Sequence, residues 1–329
     1  QMGERLVPRQ APPSAPGPAL QRFKLLRAFG RELAGLVGRT LVVDPVPQKE
    51  AIPPVTARHA GVALSLDEPL QMGVLNVTPD SINDGGRHVT AEAPIEHGLR
   101  HGAEGADIVD VGGESTRPGA QPVVPAQELE RVAPVVEALV ARGAAVSVDT
   151  RHAEVMREVL RLGADMINDV GGFRDPDAIA AVAASTCCAV CVMHMQGEPG
   201  TMQREPRYLD VVREVRDFLC ERAAALQHAG IAAGRIVVDP GFGFGKTLEH
   251  NVMLGRSLGM LAEAGYPVLV GASRKSMIGA LTGREPGGRI FGSVAAALAL
   301  AARGARVLRV HDVAATRDAL AVWRALGPS

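Results

Sequence analysis

From Leu70 onward the chain alternates between two hydrophobic rhythms. Short runs rich in β-branched residues end in polar residues or glycine, and each gives way to a longer stretch whose apolar positions recur at helical spacing. Eight such units can be read. The short runs predict strands at 71–75, 107–111, 145–148, 166–167, 189–193, 236–238, 268–270 and 307–310. The stretches between them predict helices near 91–102, 127–141, 153–162, 177–184, 208–229, 250–264, 288–302 and 314–326. Repeated strand-then-helix units bury a parallel sheet under helices. Eight units over about 260 residues is the usual extent of a closed barrel, whereas a doubly wound sheet carries fewer strands and an early glycine fingerprint. The expected fold is α/β, a (β/α)8 TIM barrel over residues 70–329.

Residues 1–69 stand outside this rhythm and are expected to form an N-terminal extension, partly flexible. Within it, 22–43 could supply a helix and a strand, 11–19 is rich in Pro and Ala, and 44–54 is rich in proline. No apolar run approaches the ~18 to 20 residues of a membrane helix, and none near the start has the character of a secretion signal, so neither membrane nor export is expected.

The charge balance, 35 Lys+Arg against 36 Asp+Glu, offers no basic excess for a nucleic-acid backbone or an anionic membrane, which points to small-molecule partners. Four cysteines in 329 residues are no disulfide framework and suit a reducing cytoplasm. Cys188, Cys191 and His194 repeat at metal-ligand spacing. Their segment reads as a strand, however, in which residues three apart face opposite sides, so buried thiols are expected there rather than a redox or zinc site.

In a barrel of this kind the chemistry sits where the strands end at their carboxyl side. The ends read Asn76; Asp110, with Glu114, Thr116 and Arg117 beyond; Asp149; Asn168 and Asp169; His194; Asp239; Ser273, Arg274 and Lys275; and Arg309 with His311. Polar groups closing all eight strands predict one concave site. Arg274, Lys275, Arg309 and His311 form a cationic corner after strands seven and eight, where phosphate binds in this fold. Gly241 to Thr247 ends in the G-K-T of a P-loop, but the required earlier glycine is Pro240, so these glycines are read instead as letting backbone approach a flat ligand beside Phe244.

The motifs MGVLNVTPDS (72–81), DVGGESTRPG (110–119), SVDT (147–150), IND (167–169), VMHMQG (192–197), DPGFGFGK (239–246), SRKS (273–276) and RVHDV (309–313) together resemble dihydropteroate synthase, over about residues 70 to 326. The resemblance implies a transferase of folate biosynthesis, a target class of sulfonamides. It would condense 6-hydroxymethyl-7,8-dihydropterin diphosphate with 4-aminobenzoate to give 7,8-dihydropteroate and diphosphate. Pterin and diphosphate would meet Thr116, Asp149, Asn168, Met193, Asp239, Gly243, Phe244, Gly271, Lys275, Arg309 and His311. Thr116, Arg117, Pro118, Ser276 and Ile82 would hold the 4-aminobenzoate, whose carboxylate gains from a helix N-terminus at Ser276. Arg309, His311, Lys275 and Asn76 would carry catalysis, with Mg²⁺ held at Asn76, and a homodimer is implied. Loops 78–87 and 113–121 could close over the reacting groups. The sequence departs from the family at Ile82, where an aromatic is usual, which implies looser packing on the benzoate ring and altered sulfonamide response. A pterin-binding methyltransferase and a non-catalytic pterin-binding paralogue are the competing readings.

Overall fold

The structure is a computed structural model that describes residues 55–59, 62–78, 91–115, 121–198 and 200–326. The anticipated helix and strand at 22–43 lie outside the described residues. A short antiparallel hairpin, which the sequence pattern did not announce, precedes the barrel: β1 (Val55–His59) pairs with β2 (Val62–Leu64).

The barrel itself follows the predicted rhythm. Its strands are β3 (Leu70–Asn76), β4 (Ile108–Gly112), β5 (Val146–Asp149), β6 (Met166–Asp169), β7 (Ala189–Met193), β8 (Ile236–Asp239), β9 (Val268–Val270) and β10 (Ala305–Val310). They close in the order β10-β3-β4-β5-β6-β7-β8-β9, and every neighbouring pair is parallel. Between them run α1 (Glu92–Glu104), α2 (Pro125–Ala141), α3 (Ala153–Arg161), α4 (Pro176–Ala183), α5 (Val211–His228), α6 (Leu248–Arg256), α7 (Leu258–Ala262), α8 (Ser276–Thr282), α9 (Ile290–Ala301) and α10 (Val313–Leu326).

Two helical stretches depart from the predicted pattern. The one expected at 250–264 is two helices, meeting at Ser257. The seventh unit carries an additional helix, α8, which stops at Gly283 in the left-handed region (φ 69°) before a 3₁₀ turn at Pro286–Gly288. The start of α5 is set by Asp210, whose carboxylate accepts from the N–H groups of Val212 and Arg213.

Strands buried on both faces explain why they read as continuous apolar runs. One face, with Leu70, Met72, Ile108, Met166, Ala189, Cys191, Val237, Leu269 and Val307, fills the barrel interior. The other face, including Val109, Val111, Val146, Val148, Val190 and Val192, packs on the helices. Cys191 belongs to the inner cluster and Cys188 to the outer one, so the two thiols do diverge, and all four cysteines are free. Among the described residues no helix is long and apolar enough to cross a membrane.

Candidate active site

Above the inner apolar layer, toward the carboxyl ends of the strands, the interior phase turns polar. Residues two apart on a strand share a face, so Asp110 continues the inward line of Ile108. Asp149 likewise continues that of Ser147. Register sets Asp110 beside Ser147 and Asp149 beside Asn168. Arg309 enters from β10 and joins the floor together: Nε donates to Asp110 Oδ2 at 2.6 Å and Nη2 to Asp149 Oδ2 at 2.9 Å. Asn168 Nδ2 donates to the same Asp110 oxygen at 3.3 Å.

This floor leaves buried polar atoms with no hydrogen-bond partner in the structure, namely Asp110 Oδ1, Ser147 Oγ and Asn168 Oδ1. Each such atom costs about 1–3 kcal/mol when buried without a partner, so three together mark an interior beneath the barrel mouth whose polar groups the protein alone does not satisfy. Burial raises the Asp149 carboxyl to about 7, against the pull of Arg309. Asp239 is raised by burial too, with Lys275 opposing. Lys275 is lowered by burial to about 7, with Asp239 opposing. Burial also disfavours the Arg309 charge, but Asp110 and Asp149 outweigh it and hold the guanidinium above its ordinary pKa. The pocket therefore contains acceptors, donors and groups able to exchange protons near neutrality.

One wall is apolar and flat. Phe244 packs against Val170, Met193, Met195 and Met202. Lys275 Nζ lies 4.1 Å from the centre of the Phe244 ring and donates to the Phe242 carbonyl. Asp239 Oδ1 accepts from Gly241 N at 2.7 Å, which fixes the start of the glycine-rich loop. Gly271 leaves room beside Arg309, since a Cβ there would sit 3.8 Å from that side chain, and a Cβ on Gly243 would come within 3.1 Å of Lys275 Cδ.

The cationic corner is smaller than the sequence suggested. Arg274 is paired with Asp312 through Nε at 3.0 Å and Nη2 at 2.5 Å, so it behaves as an ordinary ion-pair residue. His311 Nδ1 lies 3.1 Å from Ser273 Oγ, which also accepts from the His311 backbone at 3.2 Å. Burial, then Arg309 and Arg274, push His311 down to about 4. Asp169 is likewise not free for a ligand: it accepts from Gly171 N at 2.6 Å and Phe173 N at 2.7 Å and so shapes its own loop.

The structure thus brings together Asp149, Asn168, Met193, Asp239, Gly243, Phe244, Gly271, Lys275, Arg309 and His311. Asn76 sits exposed at the end of β3, alongside Gly112. Ser276 is the exposed first residue of α8. Thr116, Arg117, Pro118 and Ile82, and most of loops 78–87 and 113–121, lie outside the described residues. Sequence reading marked Asp110 as a strand end without giving it a role, and missed Ser147; the inward phase they share with Ile108 and Asp149 was the signal.

The chain matches a family model described as pterin binding enzyme over residues 72–311. A dihydropteroate synthase of Neisseria meningitidis serogroup C is 50% identical over 279 residues, covering 82% of this chain and 99% of the relative. The dihydropteroate synthase of Xanthomonas albilineans in complex with 7,8-dihydropteroate superposes with a TM-score of 0.76 at 50% identity, covering 84% of this chain and 100% of that one. That of Thermus thermophilus in complex with 6HMPPP gives a TM-score of 0.72 at 45% identity, covering 83% of this chain and 99% of that one.

Proposed function

The chain belongs to the dihydropteroate synthase family of pterin-binding enzymes, and on that premise we infer that it condenses 6-hydroxymethyl-7,8-dihydropterin diphosphate with 4-aminobenzoate, yielding 7,8-dihydropteroate and diphosphate. The observation that carries this reading is the set of unpartnered buried atoms around Arg309: Asp110 Oδ1, Ser147 Oγ and Asn168 Oδ1. A pterin edge of alternating ring nitrogens, amino group and carbonyl supplies donors for Asp149, Asp239 and Asn168 and an acceptor for Lys275. Met193 and Phe244 would flank the ring plane, and Arg309, with N–H groups beyond those given to Asp110 and Asp149, would stack on it and reach the diphosphate.

As the C–O bond to the diphosphate breaks, the electron-rich pterin stabilises the methylene cation and negative charge gathers on the leaving group. Arg309, His311 and Asn76 would hold that charge, and losing one such preorganised contact typically costs ~2.7–4 kcal/mol of barrier. The arylamine needs alignment more than deprotonation, so no strong general base is assigned. It would sit between the loop bearing Thr116, Arg117 and Pro118 and the Ser276 hydroxyl, with Ile82 replacing the family's usual aromatic. Sulfonamides would compete at this subsite.

Magnesium fits the residues present. Asn76, whose amide oxygen is a hard ligand at the mouth, would hold the ion; among the described residues no cluster of three His, Cys, Asp or Glu is found. When bound it supplies charge neutralisation for the leaving diphosphate. We place the catalytic barrel at 70–329, with 1–69 as an extension, in a cytoplasmic homodimer that meets through the outer helices, where Phe291 on α9 is 88% exposed.

Release of diphosphate from the two substrates with Mg²⁺ tests the reading. Turnover separates it from both a methyltransferase and a non-catalytic paralogue, and absence of diphosphate with both substrates bound overturns it.

A further inference from the structure

Lys246 ends the glycine-rich loop after β8 and is 3% exposed, so it looks at first like an expensive burial of charge. Four acceptors surround its ammonium. Nζ lies 3.0 Å from His194 Nδ1, 3.0 Å from Gly241 O, 3.0 Å from Phe244 O and 3.3 Å from His194 O. Burial lowers Lys246 to about 7, with Asp239 opposing, and in its ammonium form it has protons to give and no lone pair, so that His194 Nδ1 then accepts and the imidazole carries its proton on Nε2. Burial, followed by the charge of Lys246, drives His194 down to about 3, which keeps that nitrogen free to accept.

The reason for a cation here lies in the backbone. Gly241 and Gly245, both in the left-handed region, bring the loop after β8 against the loop after β7. A Cβ on Gly241 would sit 2.0 Å from His194 O, and one on Gly245 would sit 2.4 Å from Gln196 O. Carbonyls of both loops therefore converge on one buried point, and their dipoles repel unless a donor stands among them. Lys246 is that donor. The same loop supplies the Phe242 carbonyl that takes a hydrogen bond from Lys275 and the Phe244 ring beneath the Lys275 ammonium.

We propose that Lys246, acting through His194 and the Gly241 and Phe244 carbonyls, is a positioning residue for the reaction: it joins two barrel loops so that Phe244 and Lys275 face the pterin at the correct place. The inference rests on the reading that the pterin ring lies against Phe244 and Lys275.

Asparagine and leucine have nearly the same shape, and of the two only asparagine places an acceptor, Oδ1, where His194 has Nδ1. Comparing His194→Leu with His194→Asn therefore isolates the bond to Lys246 from loss of the ring. The expected result is a KM for pterin diphosphate about tenfold higher in H194L than in H194N, the size of one buried hydrogen bond to a charged group. The KM for 4-aminobenzoate should differ by less than about twofold between the two, since a general distortion of the folded site would move both constants. Lys246→Met should raise the pterin KM at least as far as H194L does. Equal pterin KM values in H194L and H194N, or equal rises for both substrates, would overturn the proposal even if K246M failed to fold. Should the wild-type chain neither bind pterin diphosphate nor turn it over, the reading of the site falls and takes this inference with it. Wild-type turnover with no separation of the two His194 variants removes this inference alone.

Discussion

Arg309 holds Asp110 and Asp149 together, with one guanidinium donating Nε to the first at 2.6 Å and Nη2 to the second at 2.9 Å. Asp110 is fully buried, and the parallel pairing of β4 with β5 keeps it close to Asp149, so the two carboxylates would repel without the cation between them. Replacing Arg309 with Met should lower unfolding free energy by about 3–5 kcal/mol, the usual cost of stripping one partner from a buried ion pair. Adding Asp110→Asn to that variant should recover part of the loss. Urea unfolding of the single and double variants measures it, and a double variant no more stable than R309M would mean that carboxylate repulsion is not the source.

His311 gives a proton-linked prediction. Burial, then Arg309 and Arg274, lower it from 6.5 to about 4, so the native chain holds fewer protons there than the unfolded chain between those values. The contribution to stability is therefore present above 6.5 and is lost as pH falls through about 4. On the proposed reading, an anionic diphosphate beside the ring would oppose these causes and favour the imidazolium. Pyrophosphate binding at pH near 6 should then take up a proton, read by calorimetry in two buffers of different ionisation enthalpy. The uptake should shrink in His311→Gln, and unchanged uptake in that variant would place the proton elsewhere.

Much of this was legible in the sequence, for identifiable reasons. All eight barrel strands could be located because burial on both faces leaves an uninterrupted apolar run, and their polar ends fall at the mouth by the geometry of the fold. What a strand-end position cannot reveal is whether a side chain faces the cavity or its own neighbours. Asp169 turns to Gly171 and Phe173, and Arg274 to Asp312, although both are spaced along the chain like true site residues. Lys246 was hidden by the opposite effect: a lysine among glycines reads as a solvated loop, and only the convergence of three backbone carbonyls from two loops makes it a buried tie. The β1–β2 hairpin escaped because strands of five and three residues in a proline-rich neighbourhood are too short for a period to show.

His152 supplies a test with the opposite pH sign. Its Nδ1 lies 2.6 Å from Glu128 Oε2, and Glu128 is fully buried in the first turn of α2. The bond to Glu128 raises the histidine above 6.5 while burial opposes it. Stability from this pair is therefore complete below 6.5 and is lost as pH climbs through the raised value. His152→Gln should cost about 2 kcal/mol at pH 6 and about half as much at pH 9, by urea unfolding at each pH. A cost that grows with pH would show that the pair is held by something other than the imidazolium.

Two glycines of the pocket make a contrast that separates folding from binding. At Gly241 the backbone is left-handed (φ 66°), and an added Cβ would stand 2.0 Å from the His194 carbonyl, a backbone atom that cannot swing aside. Gly241→Ala should therefore destabilise the chain by at least about 2 kcal/mol, from left-handed strain and overpacking together. At Gly271 the added Cβ would meet Arg309 at 3.8 Å, an ordinary contact, with no left-handed backbone to strain. Gly271→Ala should keep its unfolding free energy within about 1 kcal/mol of the parent, yet its methyl group would occupy space beside the guanidinium proposed to stack on the pterin. A fall of about tenfold in kcat/KM for pterin diphosphate is expected for G271A, with its melting transition retained. Thermal melts and initial rates on both variants decide the matter: a G271A enzyme with parental kcat/KM would remove Gly271 from the pterin pocket, and a stable G241A would mean the two loops are not in backbone contact.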